Sequence, residues 1–326
     1  MRSEPLFVSA LVACSASAPP PPPSAPGPQL AAAGKSAATE AACGAAPTAI
    51  GRVQDSELNE ISGVVEGRRS PGVFFVHNDS GDSPRLFAID RRGALLAELV
   101  LETVPMLLDA EDIAIGPAPD GAWFLYLGDV GNNFASMGVG IPRRKAVLHR
   151  FAEPEVSTQA RGSRIAIRDA FPITFTFPDG ARDVEAFVID PLSGDLLVVA
   201  KQGDGHSQIL SAPAAMLAAG GGQLHLEHVL VFGRGDLPGS PMPTSASISR
   251  DGRSMLIRTY TSTFLFRRQG RESLAAALRR APQQLPTANE HQGEAVGFAD
   301  GDSAFMTISE GVKPAINCTL LPRLRD

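Results

Sequence analysis

The chain has 326 residues, a formal net charge of −6 and 44% hydrophobic residues. That apolar share supports a full folded core, and the acidic balance argues against a long basic surface for nucleic acid. No apolar run approaches the roughly 18 residues that a membrane span needs.

The first segment reads as targeting. MRSEPLFVSALVAC carries one arginine, a short apolar core and then Leu11-Val12-Ala13-Cys14. That ending resembles a bacterial lipobox, which implies a signal peptide over 1–13 and a lipid on Cys14. Residues 14–45 are rich in Pro, Ala and Ser, cannot bury a core and read as a semi-extended stalk. The expected location is therefore exported and lipid-anchored in the cell envelope, at the outer membrane or cell surface. Membrane contact would be through the lipid alone. Disulfides persist outside the cytoplasm, and with Cys14 lipidated, Cys43 and Cys318 are left to pair.

From residue 46 to 326 the chain alternates short apolar runs with Gly, Asp, Asn and Pro turns, and helical periodicity is scarce. One pattern recurs, an acidic lead-in followed by small and aliphatic residues. It occurs in NEISGVV (Asn59–Val65), AEDIAIG (Ala110–Gly116), VEAFVID (Val184–Asp190) and GEAVGFA (Gly293–Ala299), with a degenerate copy in SASISRDG (Ser245–Gly252). Aligning Glu60, Glu111, Glu185, Ala246 and Glu294 gives spacings of 51, 74, 61 and 48 residues. Each copy leads into a second and a third apolar strand, and a fourth is visible as LLAELVL, ITFTF, LHLEHVLVF and a weaker stretch near Gln284–Pro286.

Four strands per unit, repeated radially, is the logic of an all-β propeller. Five blades are expected, with a six-bladed ring as the alternative if the 74-residue interval hides a further unit. The last unit lacks its outer strand, which TAIGRVQ (Thr48–Gln54) would supply, closing the ring and removing an unpaired edge. A Cys43–Cys318 bond would staple that closure. Two short helices are expected outside the blades, in APAAMLAAGGG and SLAAALRR.

Strand direction alternates outward along a blade, so loops leading into first strands open on the same face as loops after second strands. Those loops carry most of the chemistry: Glu60, Asp109, Glu111, Asp112, Arg182, Asp183, Glu185, Gln292 and Glu294 on the first set. The second set holds His77, Asn78, Asp79, Asp129, Asn132, Asn133, Lys201, Arg258, Tyr260 and Glu310. Converging carboxylates raise one another's pKa and call for compensation by bases, protons or a cation. Oxygen donors in HNDSGD and GDVGNN suit Ca²⁺ or Mg²⁺ better than zinc. The expected ligands are Glu60, Asp79, Glu111, Asp129 and Glu185, and the ion is most simply Ca²⁺.

These spaced motifs, with FPDGARDVEAFVIDPLSGDLLVVAK, IRTY and HQGEAV, resemble bacterial exported β-propellers of the phytase-like (esterase-like) group and, more distantly, the SMP-30/gluconolactonase propellers. The resemblance spans about residues 56–312. It implies calcium-dependent hydrolysis of phosphate esters in the first case and lactone hydrolysis at one divalent ion in the second. In such a hydrolase Lys201 and Arg258 would hold the anion and Glu294 would act as base. The competing expectation is a non-catalytic, monomeric propeller whose mouth binds an anionic small molecule or an envelope protein. No nucleophile elbow, phosphate-binding glycine loop or HExxH motif occurs.

Overall fold

The computed structural model describes residues 42–118, 122–133, 138, 142–202 and 204–322. The expected signal peptide, Cys14 and most of the stalk lie outside the described residues. Five blades account for the strands, each with an antiparallel core of four. The first holds β2 (Ile61–Glu66), β3 (Val73–Asn78), β4 (Arg85–Asp90) and β5 (Leu95–Leu101). The second holds β6 (Ala110–Pro117), β7 (Trp123–Asp129), β8 (Lys145–Ala152) and β10 (Phe171–Thr176). The third holds β11 (Asp183–Ile189), β12 (Leu196–Lys201), β13 (His206–Ala212) and β15 (His225–Val231). The fourth holds β16 (Pro243–Ile248), β17 (Ser254–Thr259), β18 (Thr263–Arg267) and β19 (Gln283–Leu285). The fifth holds β20 (Gly293–Ala299), β21 (Ala304–Ser309), β22 (Ala315–Leu320) and, from the other end of the chain, β1 (Thr48–Arg52).

The ring closes as expected. β1 pairs with β22, Thr48 standing opposite Cys318, and a disulfide joins Cys318 to Cys43 across 275 residues of chain. First strands pack against one another in an unbroken circle, β2–β6–β11–β16–β20–β2. Each is buried along almost its whole length, which is why these runs are apolar on both faces rather than alternating.

Among the described residues, the 74-residue interval holds no sixth blade. After β8 the chain crosses back to the first blade, where β9 (Ser163–Ile167) lies parallel to β5 as a fifth strand. β14 (Gly221–Gln223) does the same for the second blade, running parallel to β10. Two blades are thus five-stranded where four strands were expected. Both additions are borrowed from a neighbouring unit, a non-local pairing that a repeat count does not register. They cover outer edges that would otherwise present unpaired backbone groups.

The apolar core is divided among the gaps between blades. Phe75, Leu99, Ile113 and Phe151 fill the gap between the first two, and Phe175, Phe187, Ile189 and Leu210 the next. Ile50, Ile61, Phe74, Met306 and Ile316 fill the gap at the closure. Burial of each such side chain stabilises the ring by roughly 1.5–3 kcal/mol. Gly128 lets two blades approach, because a Cβ there would lie 2.5 Å from the Phe187 ring. Helices α1 (Ala214–Ala218) and α2 (Leu274–Ala277) are peripheral, and Ser273 caps α2 by accepting the Ala276 N–H at 3.2 Å.

The closure predicts a measurable loss. A Cys43→Ser, Cys318→Ser double variant forfeits roughly 3–5 kcal/mol in the chain-entropy model. Its melting temperature should fall by about 10 °C relative to the oxidised protein. An unchanged melt would show that the clamp does not hold the ring.

Candidate functional site at the channel mouth

Each first strand slips register with its second strand at one residue near its start. The residues skipped are Ser62, Glu111, Glu185, Thr244 and Glu294. A β-bulge leaves such a residue outside the ladder and re-aims its side chain. The structural repeat is therefore not quite the one in the sequence alignment. Ser62, not Glu60, is the equivalent of Glu111, and Thr244 replaces Ala246. A run buried on both faces carries no alternation to fix register, so the pattern cannot sense a displacement of two residues.

Two residues before each bulge, the backbone opens the mouth. Asp79 donates its N–H to the Glu60 carbonyl, Val130 to Asp109 and Glu310 to Gln292, while Asp183 stands opposite Lys201. Acidic side chains from four blades meet here. Asp79, Asp109 and Glu111 each offer an oxygen such that all lie within 4.8 Å of one another. Glu111, Asp183 and Glu185 form a second such trio, sharing Glu111. The Asn133 side chain donates to Glu111 at 2.9 Å, and its backbone N–H donates to Asp109 at 2.7 Å. Gly131 leaves the space these carboxylates occupy, since a Cβ there would stand 2.1 Å from Glu111 Oε1 and 2.6 Å from Asp109 Oδ2.

Burial and like charge act together on these groups. Burial, then repulsion from Asp109, Glu310 and Glu60, pushes the Asp79 carboxyl up to about 7. Glu294 rises to about 8, chiefly through burial and Glu310. Glu111 is driven well above the ordinary range by burial and by Glu185, Asp79 and Asp109. Glu185 shifts the same way through burial, although Lys201 opposes the change. Burial pulls the Lys201 ammonium down, but Glu185 and Asp183 outweigh it and hold its pKa above the ordinary value.

The expected ligands do not all converge. Glu111 and Glu185 do, and Asp79 joins them from the first blade. Glu60 is exposed on the rim and acts on Asp79 and Glu310 by charge. Asp129 is buried and engaged elsewhere, accepting from the Leu108 and Asp109 amides and from Arg143 Nη1 at 2.9 Å. Arg258 is fully buried and ion-paired with Glu290, whose other oxygen accepts from Thr307 and Asn317 at 2.7 Å each. It ties the fourth blade to the fifth through Nη2, while its Nε and Nη1 are buried without a hydrogen-bond partner among the described residues. His77 is also fully buried, pushed down to about 4 by burial, with Nδ1 2.8 Å from the Asn78 carbonyl.

Asp109 and Asp183, read from sequence only as mouth residues, turn out to be members of the two trios. Glu290 was not anticipated. Asp112 has a different role from its neighbour Glu111. Its carboxylate, fully buried, accepts from Ile113 N–H, Phe187 N–H, Ser245 Oγ and Ala246 N–H at 2.9–3.3 Å. It thereby links the second, third and fourth blades.

The shifts fix a pH dependence. Asp79 and Glu294 keep protons in the folded chain that the unfolded chain releases at ordinary carboxyl values of 3.8 and 4.5. Stability therefore falls as pH rises through about 7 and 8. His77, depressed to about 4, works in the opposite direction, but only below its ordinary value of 6.5. In chelator, the melting temperature should drop between about pH 6.5 and 8.5. A flat or rising trend over that window would contradict the account.

No family model matches the chain, and no curated protein matches it. Among solved structures it is similar to hydrazine synthase of Kuenenia stuttgartiensis, with 12% identity and a TM-score of 0.41, over 79% of this chain and 94% of that one. Among the described residues no helix is long and apolar enough to cross a membrane. The fold is established by the chain's own strand order, as a β-propeller of five blades.

Proposed function

We propose that the mouth binds a divalent cation of the calcium class on Asp79, Asp109 and Glu111, and that the bound ion recruits an anionic ligand. The ligand is a small acid or an acidic group of an envelope protein. One observation carries the reading: three carboxylates from two blades lie within 4.8 Å of one another. Among the described residues none of the three is within ion-pair distance of a lysine or arginine. That span is about twice a Ca–O bond of 2.3–2.6 Å, so a single ion can touch all three. A divalent ion would also relieve the repulsion that pushes Asp79 and Glu111 up. Export to the envelope is supported by the Cys43–Cys318 bond, because such bonds persist outside reducing compartments.

The cation should stabilise the folded chain, since an ion that binds only the folded state shifts the equilibrium by mass action. Addition of millimolar Ca²⁺ to chelator-treated protein at about pH 8 should raise the melting temperature by several degrees. Glu111→Gln should abolish that rise, and Gly131→Ala should weaken it. Identical melts of the wild type with and without Ca²⁺ would refute the site.

A second reading, hydrolysis of a phosphate ester or lactone in the manner of phytase-like propellers, is favoured by Glu294. This carboxyl is pushed up to about 8, chiefly by burial and Glu310, and it also feels the charges of Asp79 and Lys201. It can hold or release a proton near neutral pH, as a general acid or base requires. The bound ion would supply polarisation of the ester or lactone oxygen. On a panel of phosphomonoesters, phytate and lactones with Ca²⁺, this reading expects turnover that Glu294→Gln lowers at least about 100-fold. An inactive wild type across the panel leaves the binding role alone.

A further inference from the structure

We propose that Lys201 is a built-in cation, occupying the second of two adjoining cation positions at the mouth and limiting the protein to one fewer divalent ion than its carboxylates could hold. The proposal deepens the reading of the mouth as a divalent-cation site and rests on it for the adjoining position. Its own evidence is separate. The two carboxylate trios share Glu111, so they are two halves of one bridged arrangement. They differ in what neutralises them. The Asp79 trio has no cation of the chain within ion-pair distance among the described residues. The Asp183 trio does: Lys201 Nζ is ion-paired with Glu185 and lies 3.6 Å from Asp183. A positive charge is thus already bound in that trio, and it belongs to the protein.

The fold puts it there deliberately in the geometric sense. Lys201 ends β12 directly opposite Asp183, and the bulge at Glu185 turns that carboxylate out of the ladder at the same level. The lysine side chain is only 10% exposed, so its ammonium has little water to return to. In the other blades the corresponding second-strand residues include Asp79 and Glu310, which are acids. A divalent ion entering the Asp183 trio would have to displace a tethered ammonium held by two buried carboxylates. Glu111, Asp183 and Glu185 each bring an oxygen to within 4.8 Å of the others, and such a cluster of like charge favours a cation between them.

The test removes the ammonium and counts ions. Lys201→Met and Lys201→Gln are compared with wild type and Lys201→Arg by equilibrium dialysis against Ca²⁺ and by thermal melts in chelator and in Ca²⁺. Each neutral variant should bind one more Ca²⁺ per chain than wild type. In chelator each should melt well below wild type, and Ca²⁺ should restore it. Lys201→Arg should bind no additional ion. Neutral variants that fold but gain no Ca²⁺, or that fold in neither condition, overturn the assignment. A wild type that binds no ion beside neutral variants that bind one would sink the Asp79 site and leave this assignment standing. One ion in both would do the reverse.

Discussion

The arrangement depends on one backbone irregularity repeated five times, a bulge where each first strand leaves the mouth and enters the ring. Without it, strict alternation would continue the pleat and carry the side chain at that position into the ladder's ordinary register. With it, the residue is free of the ladder, and its chemistry decides what the blade contributes. Two blades place a hydroxyl there, and both hydroxyls hold neighbours together. Ser62 donates to the Glu111 carbonyl of the second blade, and Thr244 donates to the Gly293 and Glu294 carbonyls of the fifth. Three blades place a glutamate there, and all three glutamates are buried with their pKa values raised. The same backbone device thus serves as a fastener in some blades and in others holds a buried glutamate outside the ladder.

Adjacent acids on β6, Glu111 and Asp112, are engaged in different ways. Asp112 and Glu111 are both buried, yet Asp112 has four donors fixed around it from three blades. Those hydrogen bonds favour the ionised form, but burial outweighs them and holds the Asp112 carboxyl well above the ordinary range. Glu111 has the Asn133 amide and otherwise faces Glu185, Asp79 and Asp109. An arrangement that leaves like charges facing one another is a poor fastener. It is a sound receptor for a cation, because the binding energy of the ion is drawn from repulsion the fold already bears.

The propeller was legible because its first strands are buried on both faces and recur with recognisable punctuation. The closure was legible because the fifth unit ran short of one strand and TAIGRVQ stood unused at the other end. Cys318 then fell on the strand that TAIGRVQ would join, with Cys43 just before TAIGRVQ. The borrowed fifth strands were not legible. SRIAI and GGQ carry no repeat signature, and they pair in parallel with blades other than those their chain positions suggest. The site was legible as a crowd of acids but not in which of them converge. Glu60 matched the acid-then-apolar pattern, yet Ser62 holds the bulge. Arg258 looked available because sequence does not show that Glu290, between strands, reaches it inside the wall. Asp129 looked like a ligand because nothing in GDVGNN reveals that Arg143 and two amides engage it.

The central claim is that distant blades deliver their carboxylates to one shared cation position. The most direct measurement is anomalous diffraction from crystals equilibrated with Mn²⁺, an oxygen-preferring ion visible at its absorption edge. The account predicts a single strong peak bounded by the carboxylates of Asp79, Asp109 and Glu111, with the Lys201 ammonium still seated between Asp183 and Glu185. Saturating Mn²⁺ that leaves the mouth without a peak, or that appears only on outer strands and loops, would contradict it.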